Sequence, residues 1–456
     1  MKKLISTNPA KNYEVIGYVN VSSLGEIRQK VADAQKAKTF WKELGVSKRS
    51  KLLWPIYRQF MKRKKELALL ITKEIGKPIK QSLDDIESDT YFKWFLENGE
   101  RCLSDKITFE DEKSVHKIVY EPIGAAAVIA PWNFPYDMFL WGVIPNLIAG
   151  NTVVFKHSEL CPLTGKFIED IMNGRLPKGV FSEVYGNGKI GETLVNQDIN
   201  LIWFTGSTKV GKHLDEIAAK KFIKAVLEMG GSNPAIIFND VNLGQIIDKI
   251  YRKRFSNCGQ TCDALKRLIV HQSIFPALVK KLKDIVESKV VGNPEDINTD
   301  IGSLVAKRQL KLLESQVKDA LKKGAKIITG GKRPENLKGA YYLPTILTNI
   351  KRNMRVWREE TFGPVLVVAP FKTEKEAINL ANDTIYGLGA QIWTRDKKRA
   401  LRIAQKIEAG TVEINKGDHW LPCNPFGGYK ESGMGREHGE YGFQELVQIK
   451  VVAMEK

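Results

Sequence analysis

Hydrophobic and polar residues change rhythm twice along this chain of 456 residues. From about residue 24 to 101 the apolar positions recur at helical spacing, as in SKRSKLLWPIYRQFMKRKKELALLITKEIG, and predict long amphipathic helices. Residues 106–120, KITFEDEKSVHKIVY, alternate around an acidic middle, the pattern of a β-hairpin. From Gly124 short apolar runs take over: AAAVIA, TVVF, LIWF and AIIF, with helix-like stretches near 138–149, 163–174 and 209–220. Such β-α-β repetition predicts a mostly parallel sheet with helices on both faces. A second run starts near KRLIV (266–270) and continues through AKIIT, PVLVV and AQIWT to about 415. The tail, ELVQIKVVAME, reads as a strand. The fold class is therefore α/β with two lobes, plus a hairpin and a terminal strand able to pair with each other.

Composition narrows the function classes. Apolar residues make up 43% of the chain, an ordinary globular share. No apolar run is long enough to span a membrane, and MKKLISTNPAKNYEV lacks the apolar core of a secretory signal. Five cysteines (102, 161, 258, 262, 423) are too few for a disulfide framework, so a reducing, cytoplasmic setting is expected. The net charge of +19 invites a nucleic-acid reading. The lysines, however, are spread along the chain among Glu and Asp. The densest run, Lys62-Arg63-Lys64-Lys65, meets Glu66 at once. A solvated surface that draws in anions such as a dinucleotide fits better, with neither nucleic acid nor membrane as partner.

Several short stretches carry candidate chemistry. SNCGQTC places Cys258 and Cys262 four residues apart. A metal pair lacks nearby ligands, a redox pair is usually C-x-x-C, and a lone Cys is often a small buried hydrophobe. Nucleophile and packing remain open on this stretch alone. GNGKIG, starting at Gly186, matches a dinucleotide fingerprint but lacks the acidic residue expected about twenty positions on. In FTGSTKVGK a strand runs into Gly206-Ser207 and then a helix, which makes an anion site or an ordinary turn. GNTVVFKHSEL ends a strand with Lys156 and Glu159, a possible ribose clamp or a surface pair. IAPWNFPYDMF holds Asn133 between two prolines, suited to an oxyanion donor or simply a packed turn. AVLEMGGSNPAIIF sets Glu228 in apolar surroundings, a base with a raised pKa or a salt-bridged strand end.

Together these stretches resemble one family. PWNFP, GNTVVFK, FTGSTKVGK, LEMGG, NCGQTC, EETFGPV and PFGGYKESGMGRE stand in the order seen in the aldehyde dehydrogenase superfamily, from about residue 6 to the C-terminus. FKHSE, LEMGGSNP and overall length are most similar to the short succinate-semialdehyde dehydrogenase-like members. The resemblance implies a Rossmann-type cofactor lobe (1–103 and 122–230), a catalytic lobe (231–432) and an oligomerisation element (104–121 and 433–456). It implies Cys262 as nucleophile, with Cys258 as packing. Asn133 and the Cys262 backbone N–H hold the oxyanion, and Glu228 activates water. Lys156 and Glu159 bind the adenosine ribose, and Gly186 borders the adenine. Gly206 and Ser207 meet the pyrophosphate, while Glu360 and Phe362 hold the nicotinamide end. The cofactor implied is NAD, with NADP possible, because Glu159 repels a 2′-phosphate. Glu228 favours hydrolysis over transfer to coenzyme A.

The substrate departs from the nearest subfamily. Its members carry an Arg where this chain has Trp141, and another where it has Ser256. Phe134, Trp141, Trp420 and Phe426 instead match the apolar tunnel of aliphatic-aldehyde members. An aliphatic or broad aldehyde is expected, with succinate semialdehyde as the alternative and His419 or Arg254 as substitute cations. No metal is expected. A homodimer or homotetramer is.

Overall fold

The computed structural model describes residues 2–88 and 90–456. Its first large sheet has six strands, in the order Gly433–Met434, Lys224–Glu228, Leu201–Thr205, Ala125–Ile129, Thr152–Lys156, Phe181–Val184. All are parallel except the short first strand. The three central strands are buried at every position. That is why they read as unbroken apolar runs rather than as alternation: both faces are covered by helices.

The chain enters this sheet at Ala125–Ile129, moves outward on one side through residues 152–184, then crosses back to 201–205 on the other side. The reversal puts a topological switch point between strands Ala125–Ile129 and Leu201–Thr205. Ligands of open parallel sheets bind at such a point, beyond the carboxyl ends of the strands. Helix Pro135–Ala149 lies directly behind it and is buried on nearly every face. It packs this closely because Gly142 has no side chain: a Cβ there would stand 2.6 Å from Val128 and 2.7 Å from the Trp203 ring.

The second sheet has seven strands: Lys326–Thr329, Thr345–Thr348, Val365–Phe371, Leu265–His271, Asn233–Ile237, Gly389–Trp393 and Thr411–Ile414. The sequence pattern groups AIIF with the first run, yet strand Asn233–Ile237 sits at the heart of this second sheet. Periodicity shows that a strand is buried but not which sheet buries it. A hairpin of Lys3–Asn8 and Glu14–Asn20 was also not read from the pattern.

Hairpin strands Lys106–Glu110 and Ser114–Pro122 form a third sheet with the tail, Val447–Glu455, paired along nine positions. The tail is the sheet's edge, and its Ile449 and Val451 are 61% and 64% exposed. No helix is long and apolar enough to cross a membrane among the described residues.

Candidate active site

The loop carrying Cys262 is locked before the cysteine arrives. Asn257, Cys258 and Gly259 all adopt left-handed backbone conformations, with φ of 49°, 56° and 74°. Two of the three carry side chains, and each such residue costs on the order of 1–3 kcal/mol. The surroundings enforce the turn. A Cβ on Gly259 would meet the Gly363 carbonyl at 2.4 Å. Asn257 Nδ2 donates to Asn133 O (2.7 Å), Asn133 Nδ2 donates to Gln260 O (3.2 Å), and Gln260 Oε1 accepts from Val305 N (2.9 Å). One network thus ties Asn133 to Asn257 and to Gln260, two residues before Cys262.

Arg254 completes the brace. Its buried guanidinium donates to the carbonyls of Val365 (2.8 Å), Thr361 (3.0 Å), Gly259 (3.4 Å) and Gly363. Burial lowers its pKa to about 9. It ties the cysteine loop to the EETFGPV stretch and faces backbone, not a ligand. Arg254 therefore does not replace the missing substrate arginines.

A cavity of about 510 Å³ opens where the carboxyl ends of the first sheet meet the loops that lead into the second. Asn133, Phe134, Trp141, Cys262 and Trp420 line one part of it, and Gly206, Ser207, Glu360 and Phe362 another. Cys262 is half-buried. Burial pushes its thiol pKa up, Asp263 beside it adds to this, and Lys266 opposes it. Cys258, fully buried, is pushed up to about 12 and packs against the Gly76 carbonyl.

Four other sequence candidates lie off the cavity wall. Phe426 stacks behind Trp420 at 4.9 Å between ring centroids. Gly186 sits in the turn after strand Phe181–Val184, whereas Gly191 of the same stretch comes close to the Lys156 side chain. Lys156 is buried, and its Nζ donates to His157 O (3.0 Å). Glu159 pairs with Arg308 at 3.1 Å and stands 4.0 Å from Lys156.

Glu228 also stays off the wall. It closes its strand, while the next residues, Met229 and Gly230, line the cavity. Its carboxylate oxygens are buried and accept no hydrogen bond among the described residues. One lies where a Cβ on Gly427 would be 2.7 Å away. Burial pushes its pKa well up, and Glu437 pushes it further. Burial alone holds Glu437 at about 8.

At the other end, Ser207 caps helix Thr208–Lys221 but makes no side-chain capping bond. Gly206 and Ser207 line the cavity at this helix N-terminus, where free backbone N–H groups and the helix dipole favour an anion. Glu360 is fixed by Gly231 N (3.1 Å) and Lys266 Nζ (2.9 Å). Gly230 is required there, since a Cβ would meet Glu360 Oε2 at 2.4 Å. Sequence reading missed Lys266, Asp263 and Glu437. Lys266 opens the KRLIV strand and Glu437 ends the last motif, but only the folded chain brings them to Glu360 and Glu228.

The sequence profile described as the aldehyde dehydrogenase family matches residues 2–452. Over 443 residues the chain is 37% identical to the mitochondrial succinate-semialdehyde dehydrogenase of Oryza sativa subsp. japonica, covering 95% of this chain and 84% of that one. A crystal structure of an E. coli NADP-dependent enzyme superposes with a TM-score of 0.96 at 33% identity, over 100% of this chain and 95% of the other. Betaine aldehyde dehydrogenase from Staphylococcus aureus, solved in complex with NAD+, gives a TM-score of 0.95 at 33% identity, over 99% and 91% of the two chains. A likeness that runs nearly end to end in both sequence and fold leaves one conclusion: this chain belongs to the aldehyde dehydrogenase family.

Proposed function

We propose that this aldehyde dehydrogenase oxidises an aldehyde to its carboxylic acid with NAD or NADP, through a covalent adduct on Cys262. One observation carries the reading: the Cys262 thiol and the Asn133 amide share a cavity with a helix N-terminus and a fixed carboxylate, Glu360. That combination suits a nucleophile, an oxyanion donor and a dinucleotide in one place.

The residues fit the cofactor. Ser207 has an unspent hydroxyl at a helix N-terminus for a pyrophosphate. Glu360 presents a carboxylate for ribose hydroxyls, with Phe362 packed edge-on to Trp132 at 5.6 Å beside it. Lys156, which ends strand Thr152–Lys156, and Glu159 just beyond it suit the second ribose, and Gly186 belongs to the turn after strand Phe181–Val184. The bound dinucleotide supplies the hydride acceptor.

The protein's own groups do the rest. The Cys262 thiolate forms a bond to the aldehyde carbon, and the oxygen gains negative charge. Asn133 Nδ2 and the Cys262 backbone N–H stabilise that charge. After oxidation the acyl group is a thioester on Cys262. Glu228 takes a proton from water, the water oxygen bonds to the acyl carbon, and the thiolate leaves with the carboxylic acid released. This step requires the Glu228 side chain to turn toward the cavity that its neighbours Met229 and Gly230 line. Its raised pKa makes it a stronger base than an ordinary carboxylate once it ionises. Phe134, Trp141 and Trp420 form the substrate wall, backed by Phe426.

The test is reduced-nicotinamide formation by the purified chain with butanal and NAD, then with NADP. Turnover with acid as product supports the reading, and no turnover with either cofactor sinks it. Replacing Glu159 with Gln should raise kcat/KM for NADP relative to NAD, because a carboxylate there repels the 2′-phosphate.

The cofactor lobe (1–103 and 122–230), catalytic lobe (231–432) and oligomerisation element (104–121 and 433–456) belong to this proposal. The exposed edge strand Val447–Glu455, with Ile449 and Val451 outward, supports pairing with a second copy. Light scattering should show a homodimer or homotetramer, and Val451→Lys should shift it toward monomer. A wild-type monomer would contradict the assembly. Five unpaired cysteines, Cys262 among them, suit a reducing compartment such as the cytoplasm.

A further inference from the structure

We infer that the substrate cavity selects an aldehyde with a cationic tail, an ω-amino or quaternary ammonium group, over neutral and anionic ones. This rests on the proposed aldehyde oxidation and names its substrate class. It differs from both an apolar aldehyde and succinate semialdehyde.

The charges at the wall are one-sided. Among the described residues that line the cavity, none is Lys, Arg or His, whereas Asp85, Asp137 and Asp263 are all there. Nearby cations are already committed. Buried Lys77 pairs with Asp85 and offsets that carboxylate, so the one-sided charge rests on Asp137 and Asp263; the Lys77 Nζ also lies 4.0 Å over the Phe134 ring. Lys253 pairs with Glu413 at 2.8 Å. His419, the sequence's other candidate cation, binds Glu413 at 2.9 Å and stands 3.9 Å from Asp263. It does not line the cavity.

Asp263 is the key carboxylate. It follows the nucleophile directly, is 8% exposed, and accepts one hydrogen bond from Trp420 Nε1 at 3.1 Å. Asp263 lines the cavity, with Lys253, Glu413 and His419 grouped behind it. The Tyr91 hydroxyl at the same wall senses this field. After burial, the causes that raise its pKa are four carboxylates: Asp137, Glu437, Asp418 and Asp263.

The remaining wall is aromatic. Trp141 and Trp420 stack at 5.4 Å and 21°, and Tyr91 packs on Trp141 at 5.5 Å. Trp420 is stacked against both Trp141 and Phe426, so these ring faces are taken by other rings and the attraction for an ammonium group comes from the carboxylates rather than from a ring face. An aromatic wall with carboxylates behind it is therefore favourable for a cation, tolerable for an alkyl chain and repulsive for a carboxylate. The protein's overall positive charge does not alter this, because screening confines surface charges to about 8–10 Å while a buried pair is screened much less.

The experiment compares kcat/KM for three aldehydes on one four-carbon frame: 4-trimethylammoniobutanal, butanal and succinate semialdehyde. The quaternary compound is used because a free amine would cyclise onto its own aldehyde. The cation should exceed the anion at least a hundredfold, about 2.7 kcal/mol. Asp263→Asn should shrink the cation-to-butanal ratio about tenfold. Should that variant fail to fold, Asp137→Asn provides the same ratio. Butyltrimethylammonium should inhibit competitively against butanal more strongly than pentanoate does. If butanal is oxidised but the anion matches or beats the cation, or both variants leave the ratio unchanged, the inference is overturned and aldehyde oxidation stands. If none of the three aldehydes is oxidised, the aldehyde reading itself has failed.

Discussion

Replacing Cys262 with Ala should lower kcat for aldehyde oxidation by on the order of 10⁴-fold or more, because the whole route runs through a bond to its sulfur. NAD binding, read by quenching of intrinsic tryptophan fluorescence, should persist, since Ser207, Glu360 and Phe362 are untouched. Cys258→Ala is the paired control. Cys258 is buried against Gly76 and not at the cavity wall, so its loss should act through stability alone. A Cys262→Ala variant that kept more than about a hundredth of wild-type turnover would remove the nucleophile assignment, and equal loss in both variants would point to a fault in the loop.

Glu228→Gln should separate the two halves of the reaction. The thioester should form but hydrolyse slowly, giving a burst of about one reduced cofactor per site and then a steady rate lower by about 10²–10⁴. Burial and Glu437 hold the Glu228 pKa above the ordinary value of 4.5. A base works only when ionised, so wild-type steady turnover should rise with pH through that raised pKa, and the variant should lose this limb. Stability runs in the opposite sense. Between the unfolded and folded pKa values the unfolded chain has released the proton and the folded chain keeps it, so stability falls as pH rises. Gln removes that penalty, and the thermal midpoint of the variant at neutral pH should not drop. A lost burst with an unchanged midpoint would move Glu228 from hydrolysis to an earlier step.

Much of this was legible in the chain itself. Parallel, doubly covered strands announce themselves as short apolar runs, and helices by their spacing, so two α/β layers and the Lys106–Tyr120 hairpin followed from pattern alone. The ordered motifs, through their resemblance to the family, singled out Cys262 from Cys258 and gave Asn133 and Glu228 their expected roles. The misses have a common cause. Which sheet takes strand Asn233–Ile237 depends on pairing between residues far apart, and periodicity does not encode pairing. The role of Arg254 was likewise hidden, since four backbone carbonyls from two loops converge on it only after folding.

The sequence by itself determined the layer architecture, which depends on local periodicity, while the ordered motifs, by their resemblance to the family, pointed to the family and to the candidate reactive side chains. Tertiary structure alone decided how charge is distributed around them. Asp85, Asp137, Asp263 and Trp420 come from four separate stretches and meet at one cavity, while Lys77 and Lys253 are drawn off into ion pairs. A field is a sum over neighbours in space, and the order of residues along a chain does not supply that sum.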